Sequence, residues 1–206
     1  MIWLAATLRT FATATAILRF LASAVWLHRL IQQRVSPRWA LERGAAVPGA
    51  VSDLVVHGGD PRTVWLDHGA PPGDLPDVSH RHLPEVHRLL KLIWRAGMVS
   101  GAAGTALSAR HSTTVMRRSG LISLLAGGIG LVASMVVFQP AWDLYHRMAY
   151  ANRDWELPDE VLLAALYPER FYQRLATVWF GGIVAAGAAF LMASGRPRGR
   201  TSRGAG

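Results

Sequence analysis

Cysteine is absent from the 206 residues. That absence removes disulfides, thiolate nucleophiles and thiolate-bound metals together. The chain also lacks a G-x-S-x-G elbow for a serine hydrolase, an H-E-x-x-H zinc motif and any internal repeat. Charge is scarce: 17% of residues are charged against 51% hydrophobic, a balance foreign to soluble domains and ordinary for a small polytopic membrane protein. Acids are scarcer than bases, and the formal net charge is +9. The bases nevertheless cluster just outside apolar runs, at Arg110, Arg117 and Arg118 and at Arg196, Arg198, Arg200 and Arg203. This is the positive-inside pattern of a membrane protein, not a face that grips a phosphate backbone, and it argues against nucleic acid as a partner.

What remains is dominated by long apolar runs. Ser119–Trp142 and Leu175–Gly195 carry no charge. About 20 apolar residues suffice for a helix to cross the hydrocarbon core, where only helices and closed barrels satisfy their own backbone groups. A further helix is expected from Pro84 to Ala109, and another near Thr10–Leu30, interrupted by Arg19. An arginine at mid-span costs about 2.5–3.5 kcal/mol on insertion scales, so Arg19 either faces a protein interior or snorkels to an interface. Ala22-Ser23-Ala24 looks like a signal-peptide cleavage site, but the arginine and the lack of an early basic residue argue against one.

The expectation is an all-α transmembrane fold: a four-helix membrane bundle forming a single membrane domain over 1–206. Its transmembrane helices lie near 10–30, 86–109, 119–141 and 174–194. The glycines at 97, 101 and 104, at 127, 128 and 130, and at 181, 182 and 187 are expected to let helices approach closely. The basic 110–118 loop and the arginine-rich tail place both termini in the cytoplasm and segments 31–83 and 143–173 outside. The latter segment holds six acids (Asp143, Asp154, Glu156, Asp159, Glu160, Glu169) and many interfacial aromatics. Val51–Val56 and Thr63–Leu66, flanking Gly58-Gly59-Asp60-Pro61, suggest a β-hairpin, so a small extracytoplasmic β-containing cap is expected. Gly69–Asp77 reads as a loop.

This topology brings two histidines to one membrane face. His82 precedes the second helix and His146 follows the third. Histidine is suited to accept and return a proton near neutral pH. A helix start at His82 would favour neutral imidazole and offer free N–H groups to an oxyanion. From spacing alone, two ordinary interfacial histidines explain the pattern better. His80, His82, Glu85 and His87 are dense enough to suggest a metal, but Pro84 interrupts them and no standard ligand spacing appears.

Three motifs carry a family resemblance. LPDVSHRHLPEVHRLL (75–90) resembles the "histidine, apolar, x, acid, valine" entry to the second helix of a family of small four-helix bacterial membrane proteins. WDLYHRMAYANRDW (142–155) resembles its second motif, with an asparagine, Asn152, and a tryptophan nine positions after the histidine, Trp155. LYPERFY (166–172) is similar to its Pro-Glu-x-aromatic-aromatic segment. The family is that of the lipoprotein intramolecular transacylases. This chain departs from it at Glu85, where aspartate is expected, at His87, where lysine or arginine is expected, and at Ala149, which replaces an aromatic residue.

The resemblance implies a bacterial cell-membrane acyltransferase whose partners are a diacylglyceryl-modified lipoprotein and membrane lipid. The acyl chain moves from the glyceryl sn-2 ester to the α-amino group of the amino-terminal cysteine, giving the lyso-form, and no cofactor is implied. His82 and His146 are the catalytic candidates: one deprotonates the amine while the other polarises the carbonyl or protonates the leaving oxygen. Glu85 is a candidate for orienting His82, or simply a helix-start charge. Asn152 and Trp155 are candidates for shaping the loop around His146, and Arg95, with Lys91, for meeting a lipid phosphate. Two other readings stand beside this one: a non-enzymatic scaffold or assembly factor, and a transport component using Arg19, Lys91 and Arg95.

Overall fold

The computed structural model describes residues 1–70, 77–149 and 161–195. Their regular structure is helical throughout: α1 Ile2–Ser23, α2 Val25–Val35, α3 Arg38–Arg43, α4 Val47–Val56, α5 Pro61–Asp67, α6 Asp77–Leu107, α7 Ser112–Val136, α8 Phe138–Ala149, α9 Leu162–Leu166 and α10 Glu169–Gly195. Among the described residues, three helices are long and apolar enough to cross a membrane: Ile2–Ser23, Ser112–Val136 and Glu169–Ser194. α10 exposes Val178 and Met192, and α7 exposes Leu121, Leu125, Ile129, Val132 and Met135, apolar side chains suited to lipid. The expected second span, 86–109, falls almost wholly within α6. That helix is long enough, but Lys91 and Arg95 keep its apolarity below that of the other three.

The expected β cap is not there: no strand occurs among the described residues. Val51–Val56 lies within α4, where Val47, Ala50, Val51 and Leu54 recur at helical spacing and are all buried. Thr63–Leu66 lies within α5. Asp60 caps that helix, accepting from the Thr63 N–H at 2.8 Å, and Pro61 occupies the first turn, where its missing N–H costs nothing. The expected hairpin turn is therefore a helix start. Gly69, at φ +69°, closes α5: its N–H donates to the Leu66 carbonyl and the Ala70 N–H to the Trp65 carbonyl, the Schellman pattern.

The first expected span is also displaced. The helix breaks at Ala24, and α2 packs with α4 and α10 as part of a cap. The break frees carbonyls that a continuous helix would satisfy. His28 Nε2–H donates to the Leu21 carbonyl at 2.9 Å, and Ser52 Oγ donates to the Ala22 carbonyl at 2.9 Å. Both side chains are buried. They hold the span-to-cap junction.

Packing follows the small residues. A side chain on Gly97 would strike Thr15, on Gly101 would meet Ala12, and on Gly104 would meet Arg9 and the Ala5 carbonyl, so α1 and α6 run antiparallel. Gly120 and Gly187 bring the backbones of α7 and α10 together. Buried hydroxyls stitch α7 to α1: Thr10 Oγ1 donates to the Ser119 carbonyl and Ser119 Oγ to the Ala6 carbonyl. At the far end of α7, Gln173 donates to the Ser134 carbonyl at 3.1 Å. The main apolar core lies in the cap, around Leu27, Ile31, Leu54, Trp65, Leu166 and Phe171. The first turns of α6 extend into it, packed on α4 and α5.

Candidate functional site

His146 sits on α8, just past the cap end of α7. It is buried, and its Nδ1–H donates to the Trp142 carbonyl one turn earlier, at 2.9 Å. A carbonyl only accepts, so that bond puts the proton on Nδ1. In the neutral ring the lone pair then belongs to Nε2, the form of a general base. Aromatic rings wall the imidazole: Trp142 at 4.1 Å between centroids and Tyr145 at 5.0 Å, both edge-on. Trp142 stacks in turn on Tyr172 of α10 at 4.5 Å and on Phe138 at 5.6 Å.

His82 is half-buried on α6. It does not precede the helix as expected. The helix begins at Asp77, which places His82 in its second turn and the free N–H groups of the helix end one turn away. Pro84, inside the helix, has no N–H to offer, so the expected oxyanion cradle at His82 is not formed by the start of this helix.

The two imidazoles nonetheless act on each other. His82 is held below the usual histidine pKa first by burial and then by the charge of His146, while Glu85 pulls the other way. His146 is also lowered, by burial, against the Trp142 carbonyl and Asp143. Both rings thus favour the neutral form at neutral pH, and their mutual repulsion disfavours charging them together. Glu85 is exposed but within electrostatic reach of His82.

The remaining expected site residues divide. Arg95 lies roughly 20 Å down α6 from His82 at 1.5 Å per residue, level with the span rather than with the histidines. Asn152 and Trp155 lie outside the described residues. His87 is committed elsewhere: Nδ1–H donates to the Val55 carbonyl at 3.1 Å and ties α6 to α4. Among the described residues, no group of three or more histidine and carboxylate side chains is arranged to hold a metal.

Two features escaped the sequence. One is a buried polar trio beside the aromatic wall: His28, Gln32 and Tyr167. His28 meets Phe171 edge-on at 5.5 Å and Tyr167 at 6.2 Å. His28 Nδ1, Gln32 Nε2 and the Tyr167 hydroxyl are buried without a protein hydrogen bond of good geometry, although the Tyr167 hydroxyl lies close enough to Gln32 to feel it. Burial lowers the His28 pKa and raises that of Tyr167. The i, i+4 spacing of His28 and Gln32 was the available signal. The other feature is Asp53, whose carboxylate bridges His57 at 2.6 Å and His68 at 3.3 Å on the exposed side of the cap.

No known protein family, curated protein or solved structure matches this chain.

Proposed function

We propose that this protein is a membrane acyltransferase of the lipoprotein intramolecular transacylase type. The observation that carries the reading is the placement of His82 on α6 and His146 on α8 within electrostatic reach of each other. In this proposal the α-amino group of a diacylglyceryl-modified cysteine attacks the glyceryl ester. A new C–N bond forms, the ester C–O bond breaks, and one proton passes from nitrogen to the departing oxygen. His146 Nε2 takes the amine proton and returns it to the glyceryl oxygen. A neutral His82 donates its N–H to the carbonyl oxygen and polarises it. Holding amine and ester on one substrate supplies the proximity that the protein would otherwise have to create.

The proposal includes a fourth span, the part of α6 beyond Pro84, supported by its glycine contacts with α1. It also places both termini in the cytoplasm of a bacterial cell. The basic residues at Arg110, Arg117 and Arg118, at the end of the spans away from the cap, support that orientation.

The test is to express His82→Gln and His146→Gln with a diacylated lipoprotein and to follow the lyso product by mass spectrometry. The unsubstituted chain is expected to form it and both variants to lose it by at least about 100-fold, the range for a general acid–base group. Full product from a folded variant removes that histidine from the mechanism.

A further inference from the structure

Three cations near the cap end of the spans have no counter-ion among the described residues. Arg19, Lys91 and Arg95 are exposed, and none of them joins the ion pairs seen at Arg38–Glu42, His57–Asp53 and His68–Asp53. α1 contains no acid, and the nearest on α6 is Glu85.

Packing brings these three to one depth. Thr15 faces Gly97, Ala12 faces Gly101 and Arg9 faces Gly104. Continued along the antiparallel pair, that register sets Arg19 opposite Trp94, and the guanidinium does lie over the Trp94 ring, 5.0 Å from its centroid. The same register sets Arg95 opposite Leu18 and Lys91 opposite Ala22, at the end of α1. All three therefore occupy a band roughly 6 Å deep, just below the cap. Lys91 and Arg95 share a helix face one turn apart.

We propose that Arg19, Lys91 and Arg95 form a binding site for the phosphate headgroup of an anionic phospholipid in the leaflet on the cap side. The Trp94 ring holds the Arg19 guanidinium at this depth, and a guanidinium can grip phosphate oxygens in a fork. Arg95 and Lys91 supply two further charges along the seam. Simple snorkelling would leave each cation to find water or any headgroup separately; a shared depth and one guanidinium held over a ring suit a single anion better. This site does not depend on the acyl-transfer reading.

The test is native mass spectrometry of the full chain released from nanodiscs holding phosphatidylglycerol and phosphatidylcholine in equal amounts. The expected result is preferential retention of phosphatidylglycerol, falling about five-fold for each charge removed in Arg19→Gln, Lys91→Gln and Arg95→Gln. Lys91→Gln, at an exposed helix position, keeps the test interpretable if Arg19→Gln fails to fold. Arg117→Gln with Arg118→Gln, at the other end, where Arg118 lies 4.3 Å from the Trp3 ring centroid, is expected to leave the preference intact. Equal retention of the two lipids overturns the proposal. So does a preference that survives the cap-end substitutions or follows the Arg117 and Arg118 pair. Displacement by millimolar inorganic phosphate would assign the site to free phosphate and equally overturn the lipid assignment.

Discussion

The junction at Ala24 carries the sharpest stability prediction. Two side chains cap the carbonyls freed there, and their losses should differ although both bonds are 2.9 Å long. Ser52→Ala removes the hydroxyl from the Ala22 carbonyl and leaves a buried acceptor, which costs about 1–3 kcal/mol. His28→Phe removes the Nε2–H bond to Leu21, a loss of the same order. Yet the Leu21 carbonyl keeps a second donor, the Ala24 N–H at 3.3 Å. Phenylalanine also removes Nδ1, a buried acceptor without a protein partner, and so recovers a comparable desolvation penalty. Its ring preserves the edge-on contacts with Tyr167 and Phe171. His28→Phe should therefore be nearly neutral, and Ser52→Ala should be the more harmful change. For a chain of this size, about 2 kcal/mol corresponds to a fall in Tm of roughly 4–8 °C. Thermal unfolding in one detergent, followed by tryptophan fluorescence, decides the order. A larger loss for His28→Phe would mean that Nδ1 is engaged, and the account of the junction would be wrong.

Gly187→Ala should cost about 1–3 kcal/mol, because its Cβ would meet the Gly120 carbonyl at 2.9 Å and the Leu124 nitrogen at 3.0 Å, backbone atoms that cannot swing away. Gly128→Ala meets nothing within 4 Å and should stabilise by up to about 1 kcal/mol through helix propensity; equal Tm shifts for the two would contradict the assigned α7–α10 seam. Stability should also fall on acidification. His28, His82 and His146 all lie below the ordinary value of 6.5 in the folded chain. The unfolded chain therefore takes up protons first, and stability that is complete above that pH is lost as the pH drops below it. A Tm constant or rising between pH 7 and 5 would refute this. Nitrogen NMR of labelled histidine should show His146 in the Nδ1–H form, even in Trp142→Phe, because its acceptor is the backbone carbonyl of that residue; an Nε2–H tautomer would remove it as the base.

The apolar helices were legible where charge was absent. The uncharged stretches at 119–142 and 175–195 give α7 and α10, displaced by a few residues at their ends. α6 was legible as a helix, but its start was misplaced because Pro84 looked like a first-turn proline and instead lies inside the helix. The cap was misread by propensity. Valines in Val51–Val56 suggested strand, while the spacing of Val47, Ala50, Val51 and Leu54 pointed to a buried helical face, and packing decided the matter. The break at Ala24 had no glycine or proline to mark it. The roles of His28 and Ser52 depend on that break and could not be seen without it. That His82 and His146 come within electrostatic reach follows from helix order, since α6 starts and α7 ends near the cap.

That contrast bears on how the candidate site is held. His146 takes its orientation from its own helix, through the Trp142 carbonyl, but its surroundings come from elsewhere. Trp142 rests on Tyr172, Tyr172 meets Phe171 at 5.4 Å, and Phe171 meets His28, which caps the end of α1. A continuous path of ring contacts thus joins the wall of the site to the point where the first span turns into the cap. Such rings are stiff, and each edge-on or stacked pair adds about 0.5–1.5 kcal/mol beyond its buried area. Truncating Phe171, which is fully buried at the middle of that path, should therefore loosen the His146 wall and the α1–α2 junction together, whereas truncating Phe138, at its outer end, should affect the wall alone.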